Sequence, residues 1–323
     1  MRKRFFTAIC CCMVMLAGCQ QADEIENQSE KLPISMEASI GKSEAGSRYS
    51  GETPNGIAFY EGDKIALSVN DGSFVQWIYG DGKWTTTPAV NWNDKSSEHT
   101  FTAFYPFVAG AVKNNVPMPD LAGQDGTMAS VATRDFLVST KEQTYGANGV
   151  VSFTDDDAFK HVSSLVAITL KGEGELMEAK ITGISISGEH ILTPSFYSFE
   201  AANGKAVTLS DDAAKKADLL EVSPSYTMTS EGMTYYFVLN SGTVELADVT
   251  LSIQYEKNSK TYNASIEGLG TSAVNSFESG KQYSYALKVA GGVLVVTGNE
   301  IAPWGNGLTM DDIVINGSEV TES

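Results

Sequence analysis

Past residue 19 the chain contains no cysteine: its four are Cys10, Cys11, Cys12 and Cys19. A fold built from the remainder has no thiol for a disulfide, a thiolate zinc site or a cysteine nucleophile. Histidine is almost as scarce. His99, His161 and His190 stand apart, with neither His-x-x-x-His nor His-Glu-x-x-His spacing, and no Gly-x-Ser-x-Gly elbow occurs. His161 sits in an apolar strand, where a histidine is more often a hydrogen-bonded structural residue than a ligand or base. Cations are in deficit: 22 Lys and Arg against 40 Asp and Glu give a net charge of −18. So acidic a surface excludes nucleic acid as a partner and disfavours adsorption to anionic lipid by charge. Asp155-Asp156-Asp157 lacks the alternate-position carboxylates, glycine and distal glutamate of a calcium loop and reads as a solvated turn. Gly172-Glu173-Gly174 is too short to cradle a phosphate. A dyad such as Glu175 and Glu178 is what chance gives among so many carboxylates. The residues nominate no catalytic group, metal or cofactor.

Long apolar runs are missing as well. The longest, Phe5 to Met15, falls well short of the roughly 20 residues that span a bilayer as a helix. It follows Arg2, Lys3 and Arg4 and precedes Leu16-Ala17-Gly18-Cys19. A basic start, a short apolar segment and small residues at the cut describe a secretory signal over residues 1–18. Leu-Ala-Gly-Cys is similar to a bacterial lipobox, which implies cleavage between Gly18 and Cys19 and lipidation of the Cys19 thiol. A diacylglyceryl group plus an N-acyl group gives the more than one chain that stable anchoring requires. Loss of the three cations takes the charge from −18 to −21. Residues 19–31, with Asp23, Glu24 and Glu26, form a polar tether. An acidic stretch behind a lipidated cysteine is similar to the surface-export signal of some anaerobic Gram-negative bacteria, which implies the outer face of the outer membrane.

From Leu32 on, strands are expected. Ile34, Met36, Ala38 and Ile40 alternate with polar residues, the period of a half-buried strand. Lys64 to Val69 and Phe74 to Tyr79 flank Asn70-Asp71-Gly72, a hairpin turn. His99 to Phe107 sets Phe101, Ala103 and Tyr105 on one side and Thr100, Thr102 and Phe104 on the other. Residues 108–133 read as a long loop. Strands are further expected at Val150 to Thr154 and Val162 to Leu170, before a break at Lys171 to Gly174. Then come Ile181 to Ile186, Ile191 to Phe199, Tyr235 to Leu239, a hairpin of Val249 to Tyr255 with Thr261 to Ile266, and another of Tyr283 to Val289 with Val293 to Val296. Ser210 to Leu220, with a serine cap, two early aspartates and an Ala-rich run, is the single expected helix. Many short strands with closely spaced turns predict an all-β chain of antiparallel sandwiches. A length of 323 residues suits about two domains, placed here at 32–172 and 173–323.

A group of short segments resembles the fimbrillin family, the subunits of type V pili. They are Phe59-Tyr60-Glu61-Gly62-Asp63-Lys64-Ile65; Trp84 and Trp92 ahead of Phe101-Thr102-Ala103-Phe104-Tyr105-Pro106; Arg134-Asp135-Phe136-Leu137-Val138; Phe159-Lys160-His161-Val162-Ser163-Ser164-Leu165; Gly280-Lys281-Gln282-Tyr283; and Ile301-Ala302-Pro303-Trp304. Their order and their spread carry the resemblance. It implies a lipoprotein precursor with two tandem transthyretin-like antiparallel β-sandwich domains, serving as a pilus subunit that contacts other subunits head to tail and supports adhesion to host surface proteins or glycans. It also implies that a protease cutting after an arginine frees the first strand and that a neighbour's strand fills the gap. Here the strand would carry Ile34, Met36, Ala38 and Ile40, and Arg48 would be the cut site.

The donor would be the tail 305–323, with Leu308, Met310, Ile313 and Ile315; equally, that tail reads as a last strand folded onto its own domain. Uncut, the same chain would stay at the membrane as an anchor or accessory subunit. The rival function is a surface glycan-binding lipoprotein, with Trp77, Tyr79, Trp84 and Trp92 as a stacking platform, although aromatics at alternating strand positions are mostly core.

Overall fold

The computed structural model describes residues 32–40, 59–146, 148–201, 206–209, 217–242, 244–269, 275–290, 293–304, 315–319 and 321–322. Leu32–Ser323 forms one compact unit.

The first half opens with β1 (Ser35–Ala38), followed by β2 (Lys64–Val69), β3 (Val75–Gly80), β4 (Lys83–Thr85) and β5 (Glu98–Tyr105). A two-residue β6 (Val116–Pro117), a short helix α1 (Met128–Ala132), β7 (Leu137–Thr144), β8 (Val150–Phe153) and β9 (Lys160–His161) complete it. One sheet runs β4-β3-β2-β5-β7-β9, antiparallel throughout. Its centre is β5, whose alternation works on both faces. Phe101, Ala103 and Tyr105 enter the core that also holds Ile65, Trp77 and Phe153, while Phe104 enters a second cluster with Ala66, Val116 and Phe136. Residues 108–133 are not structureless as expected, since β6 and α1 lie within them. The helix is too short to show apolar periodicity. It rests on a cap, the Thr127 hydroxyl accepting from Ser130 N–H at 3.2 Å.

The second half comprises β10 (Ser164–Gly174), β11 (Lys180–Glu189), β12 (Ser195–Tyr197), β13 (Val207–Leu209), β14 (Ala217–Val222), β15 (Tyr226–Thr227) and β16 (Met233–Leu239). It continues with β17 (Thr250–Lys257), β18 (Lys260–Glu267), β19 (Lys281–Ala290), β20 (Val293–Pro303), β21 (Ile315–Glu319) and β22 (Thr321–Glu322). Two sheets, ordered β16-β10-β19-β20-β21 and β14-β11-β17-β18-β22, enclose a common core. The pairings are antiparallel except β10 with β19 here and β1 with β8 in the first half. The fold is therefore an all-β arrangement of predominantly antiparallel, face-packed sheets.

Three local expectations change. The break at 171–174 is an irregularity inside β10, where the register with β19 shifts between Leu170 and Gly174. A side chain at Gly172 would lie 1.5 Å from the Thr229 carbonyl, so glycine is there for close backbone approach. In consequence, β10, which begins within the segment assigned to the first half, is hydrogen-bonded into the sheet of the second. The strand expected at Ile191 to Phe199 contracts to Ser195–Tyr197. The predicted helix Ser210 to Leu220 fails where it is described. Ala217–Val222 is a strand on β11, with Leu220 and Val222 buried and Leu219 exposed, a period of two. The cap and first turn proposed for that helix lie outside the described residues.

The edge of β16 is closed by a side chain. Gln124 Oε1 accepts from Val238 N–H and its Nε2 donates to the Val238 carbonyl, both at 2.8 Å, which imitates a neighbouring strand. Tyrosines dominate the titration of this half. Burial and the nearby Tyr226 push the Tyr235 phenol up to about 12; burial, with Glu175 beside it, does the same to Tyr255, and burial raises Tyr285 further. Because the folded state favours the neutral phenol, this contribution to stability is complete below the free-tyrosine value near 10 and disappears as pH rises through about 12. A 295 nm titration should show these phenols ionising together with loss of the fold. Their ionisation near pH 10 in an intact fold would contradict it.

Candidate functional site

Residues 32–40 occupy a slot with two walls. On one side β1 runs parallel to β8, with Ser35, Met36, Glu37 and Ala38 opposite Val150, Val151, Ser152 and Phe153. Ser35 N–H donates to the Gly149 carbonyl (3.1 Å) and Ser39 N–H to that of Phe153 (2.9 Å), while Phe159 N–H donates to the Ser39 carbonyl (3.0 Å). On the other side Ile34 N–H donates to the Val90 carbonyl (2.9 Å) and Trp92 N–H to that of Leu32 (2.8 Å). Single bridges Pro33–Asn91 and Ile40–Phe159 close the two ends.

The expected alternation holds from Leu32 to Glu37 and at Ile40, while Ala38 and Ser39 are alike half-buried. Leu32, Ile34, Met36 and Ile40 are buried, Ser35 and Glu37 are exposed, and the small Ala38 is half-buried. Their neighbours in this core include Phe59, Trp84, Trp92, Val151, Phe153 and Phe159. Four such side chains contribute about 6–12 kcal/mol gross at 1.5–3 each. Backbone hydrogen bonds, those of the β1–β8 ladder and the five at its flanks, add about 0.5–1.5 each. Ordering nine residues opposes this at about 1–2 kcal/mol apiece. Covalent connection adds to the favourable side by holding the strand at high local concentration.

The aromatic platform does not exist. Trp77, Trp84 and Trp92 are buried and Tyr79 packs against the same core. Edge-to-face contacts tie them inward: Phe59 with Trp84 at 4.9 Å, Phe59 with Phe159 at 5.3 Å, Trp92 with Phe101 at 4.9 Å.

Behind the slot lies a joint that the sequence scatters over 170 residues. His161, two residues past the Phe159 that pairs with Ile40, places Nδ1 2.8 Å from Asp135 Oδ1, and both side chains are buried. The imidazole stacks on Trp304, with centroids 4.3 Å apart and planes 8° from parallel. Trp304 N–H donates to the Gly280 carbonyl, Gly280 N–H to that of Ser163, and the Ser279 hydroxyl to that of Val162. Gly280 has φ +70, the left-handed region that favours glycine. Four of the segments noted in the sequence thus meet at one point. Periodicity could not find this convergence, because the contacts are between residues far apart along the chain.

Of the site residues named from sequence, Ile34, Met36, Ala38 and Ile40 are together in the slot, and Ile315 opens β21, paired with Val296 of its own chain. Gly18, Cys19, Arg48, Leu308, Met310 and Ile313 lie outside the described residues. Among the described residues no group of three or more His, Asp or Glu is placed to hold a metal ion, and no helix is long and apolar enough to cross a membrane.

Stacked, predominantly antiparallel sheets with buried aromatics and a strand, residues 32–40, lodged between two walls define a β-sandwich protein. The chain belongs to the fimbrillin-like family, whose model matches residues 50–304. That span leaves both the docked strand and the tail outside it. Among solved structures the chain is similar to a proposed cell adhesion protein from Bacteroides uniformis (14% identity, TM-score 0.56, covering 85% of this chain and 99% of that one). It is similar also to one from Bacteroides ovatus (16%, 0.55, 85% and 98%) and to a fimbrial protein from Bacteroides vulgatus (15%, 0.50, 85% and 99%). At such identities the likeness is one of fold. No curated protein matches the chain.

Proposed function

We propose that this protein is a structural subunit of a cell-surface fimbrium, exported as a lipoprotein through Cys19 and joined to other subunits by strand exchange. In this reading cleavage after Arg48 severs the connection between the docked strand and the body. Leu32 to Ile40 then leaves, and an extended strand of another subunit enters the slot. The observation that carries it is the lodging of residues 32–40 between β8 and residues 90–92, with alternate side chains buried. A vacated slot would present apolar surface and unpaired backbone on both walls, a template for strand addition. Before cleavage, tethering keeps the strand at an effective concentration on the order of millimolar, so a dilute second subunit does not displace it. The two halves, as tandem transthyretin-like sandwiches, form the shaft segment, and a head-to-tail contact that does not close gives a filament. Family membership and the fimbrial and adhesion-class neighbours support the setting.

Arg48→Ala is the test. Filaments seen by electron microscopy should be lost while the circular dichroism and Tm of the monomer stay unchanged, and wild-type filament protein should begin at Tyr49 by mass spectrometry. Filaments built as readily by the variant would overturn the trigger. An intact chain with lipid-modified Cys19 in filaments would instead mark an anchor subunit.

A further inference from the structure

We infer that the first half carries a binding site for a neutral hexopyranose sugar, in the cavity between the β2–β3 turn and residues 111–114. The inference does not rest on the strand-exchange reading. The cavity has a volume of about 400 Å³, within the range of small-molecule sites. Asp71 and Ser73 line it from the turn and Phe74 from the position before β3. Lys113 and Asn114 line it from the facing loop, and Glu200 from beyond β12.

The walls are fixed by their own hydrogen bonds. Asn70 N–H donates to the Thr100 carbonyl (2.7 Å), and its Oδ1 accepts from Thr100 N–H (2.9 Å). The Ser68 hydroxyl donates to the Gly72 carbonyl (2.6 Å). The Lys113 ammonium donates to the Asn70 carbonyl, which ties the loop to the turn. The Phe74 ring stands edge-to-face on Phe104 at 4.8 Å and packs on Phe199 at 6.1 Å, and it remains half-buried. By contrast, the side chains of Asp71, Ser73, Asn114 and Glu200 are exposed and have no hydrogen-bond or ion-pair partner among the described residues. A rigid cavity is thus rimmed by uncommitted polar groups and includes one aromatic ring.

The mixed lining decides the class of ligand. An anion would meet the carboxylates of Asp71 and Glu200, and a cation would share the cavity with the Lys113 ammonium. An apolar ligand would leave the polar groups desolvated and unpaired. A neutral polyhydroxyl ring suits every group. Its hydroxyls donate to Asp71 and Glu200, accept from Lys113, and do both with Ser73 and Asn114. The C–H groups on the flat side of a pyranose carry partial positive charge and fit the negative face of the Phe74 ring. Phe74 packs in the Phe104 cluster on one face of the first sheet, whereas residues 32–40 pack in the Phe101 cluster on the other. Filling the slot therefore leaves the cavity free.

Saturation-transfer NMR on the purified protein tests the site, with glucose, galactose, mannose and fucose each supplied as the free sugar and as the methyl glycoside. At least one should bind, while sialic acid and butylamine, an anion and a cation, should not. A sugar bound in both forms marks the end of a glycan as the source, and one bound only when free marks a soluble sugar; either result supports the site. Asp71→Ala and Asn114→Ala, both at exposed positions, should each weaken the bound sugar about tenfold with Tm unchanged. Binding by none of these sugars, or binding undiminished in both variants, would overturn the inference. So would sialic acid or butylamine binding as tightly as any of the sugars.

Discussion

Met36→Asp is expected to expel the first strand from its slot in the uncut chain. Met36 is 6% exposed and lies opposite Val151. The substitution removes about 2–3 kcal/mol of apolar burial and asks the core to accept a carboxylate at a cost of several more. With that burial lost, the strand should undock rather than carry the charge inside. Hydrogen exchange at the Ser35 and Ser39 amides, both hydrogen-bonded in the docked state, should rise by at least a hundredfold, while amides of β10 and β19 keep their protection. Unchanged protection at Ser35 and Ser39 would mean that the slot is not held by its alternate side chains.

Trp304→Ala should be the most costly single truncation behind the slot, about 3–5 kcal/mol. The indole is 1% exposed, packs in a cluster with Leu121, Val131, Leu165 and Val238, and covers the His161 ring. Asp135→Ala leaves His161 Nδ1 without its acceptor in a buried site where Nε2 already has no partner among the described residues, and should cost about 1–3 kcal/mol. Since both changes act on one imidazole, the double variant should depart from additivity by about 0.5–3 kcal/mol. Urea midpoints measure all three. Strictly additive losses would show that stack and hydrogen bond are energetically separate.

Much of the fold could be read locally. Alternation at 34–40 named the residues that the slot buries. Asn70-Asp71-Gly72 marked a hairpin that formed, as did the pair Val249 to Tyr255 and Thr261 to Ile266, and the alternation from His99 marked a strand, though not its place at the centre of a sheet. Failures were local too. At 217–222 an Ala-rich composition suggested a helix, yet pairing with β11 and burial of Leu220 and Val222 overrode propensity. The helix at Met128–Ala132 is a single capped turn, too short for periodicity to register. The aromatics that suggested a platform are interior because each strand face carrying them points at the same core.

By itself, then, the sequence determined the acidic, strand-rich character of the chain, the absence of cysteine past residue 19, and its alternating apolar stretches, 34–40 among them. Only the tertiary structure decided what those stretches face. It set the first strand parallel to β8, more than a hundred residues away, brought Asp135, His161 and Trp304 together, and put the root of the tail at the far end of the slot. The physical reason is that alternation is a property of neighbouring residues, which fixes which side of a strand is apolar. The direction, register and partner of a strand depend on hydrogen bonds and packing between segments distant along the chain.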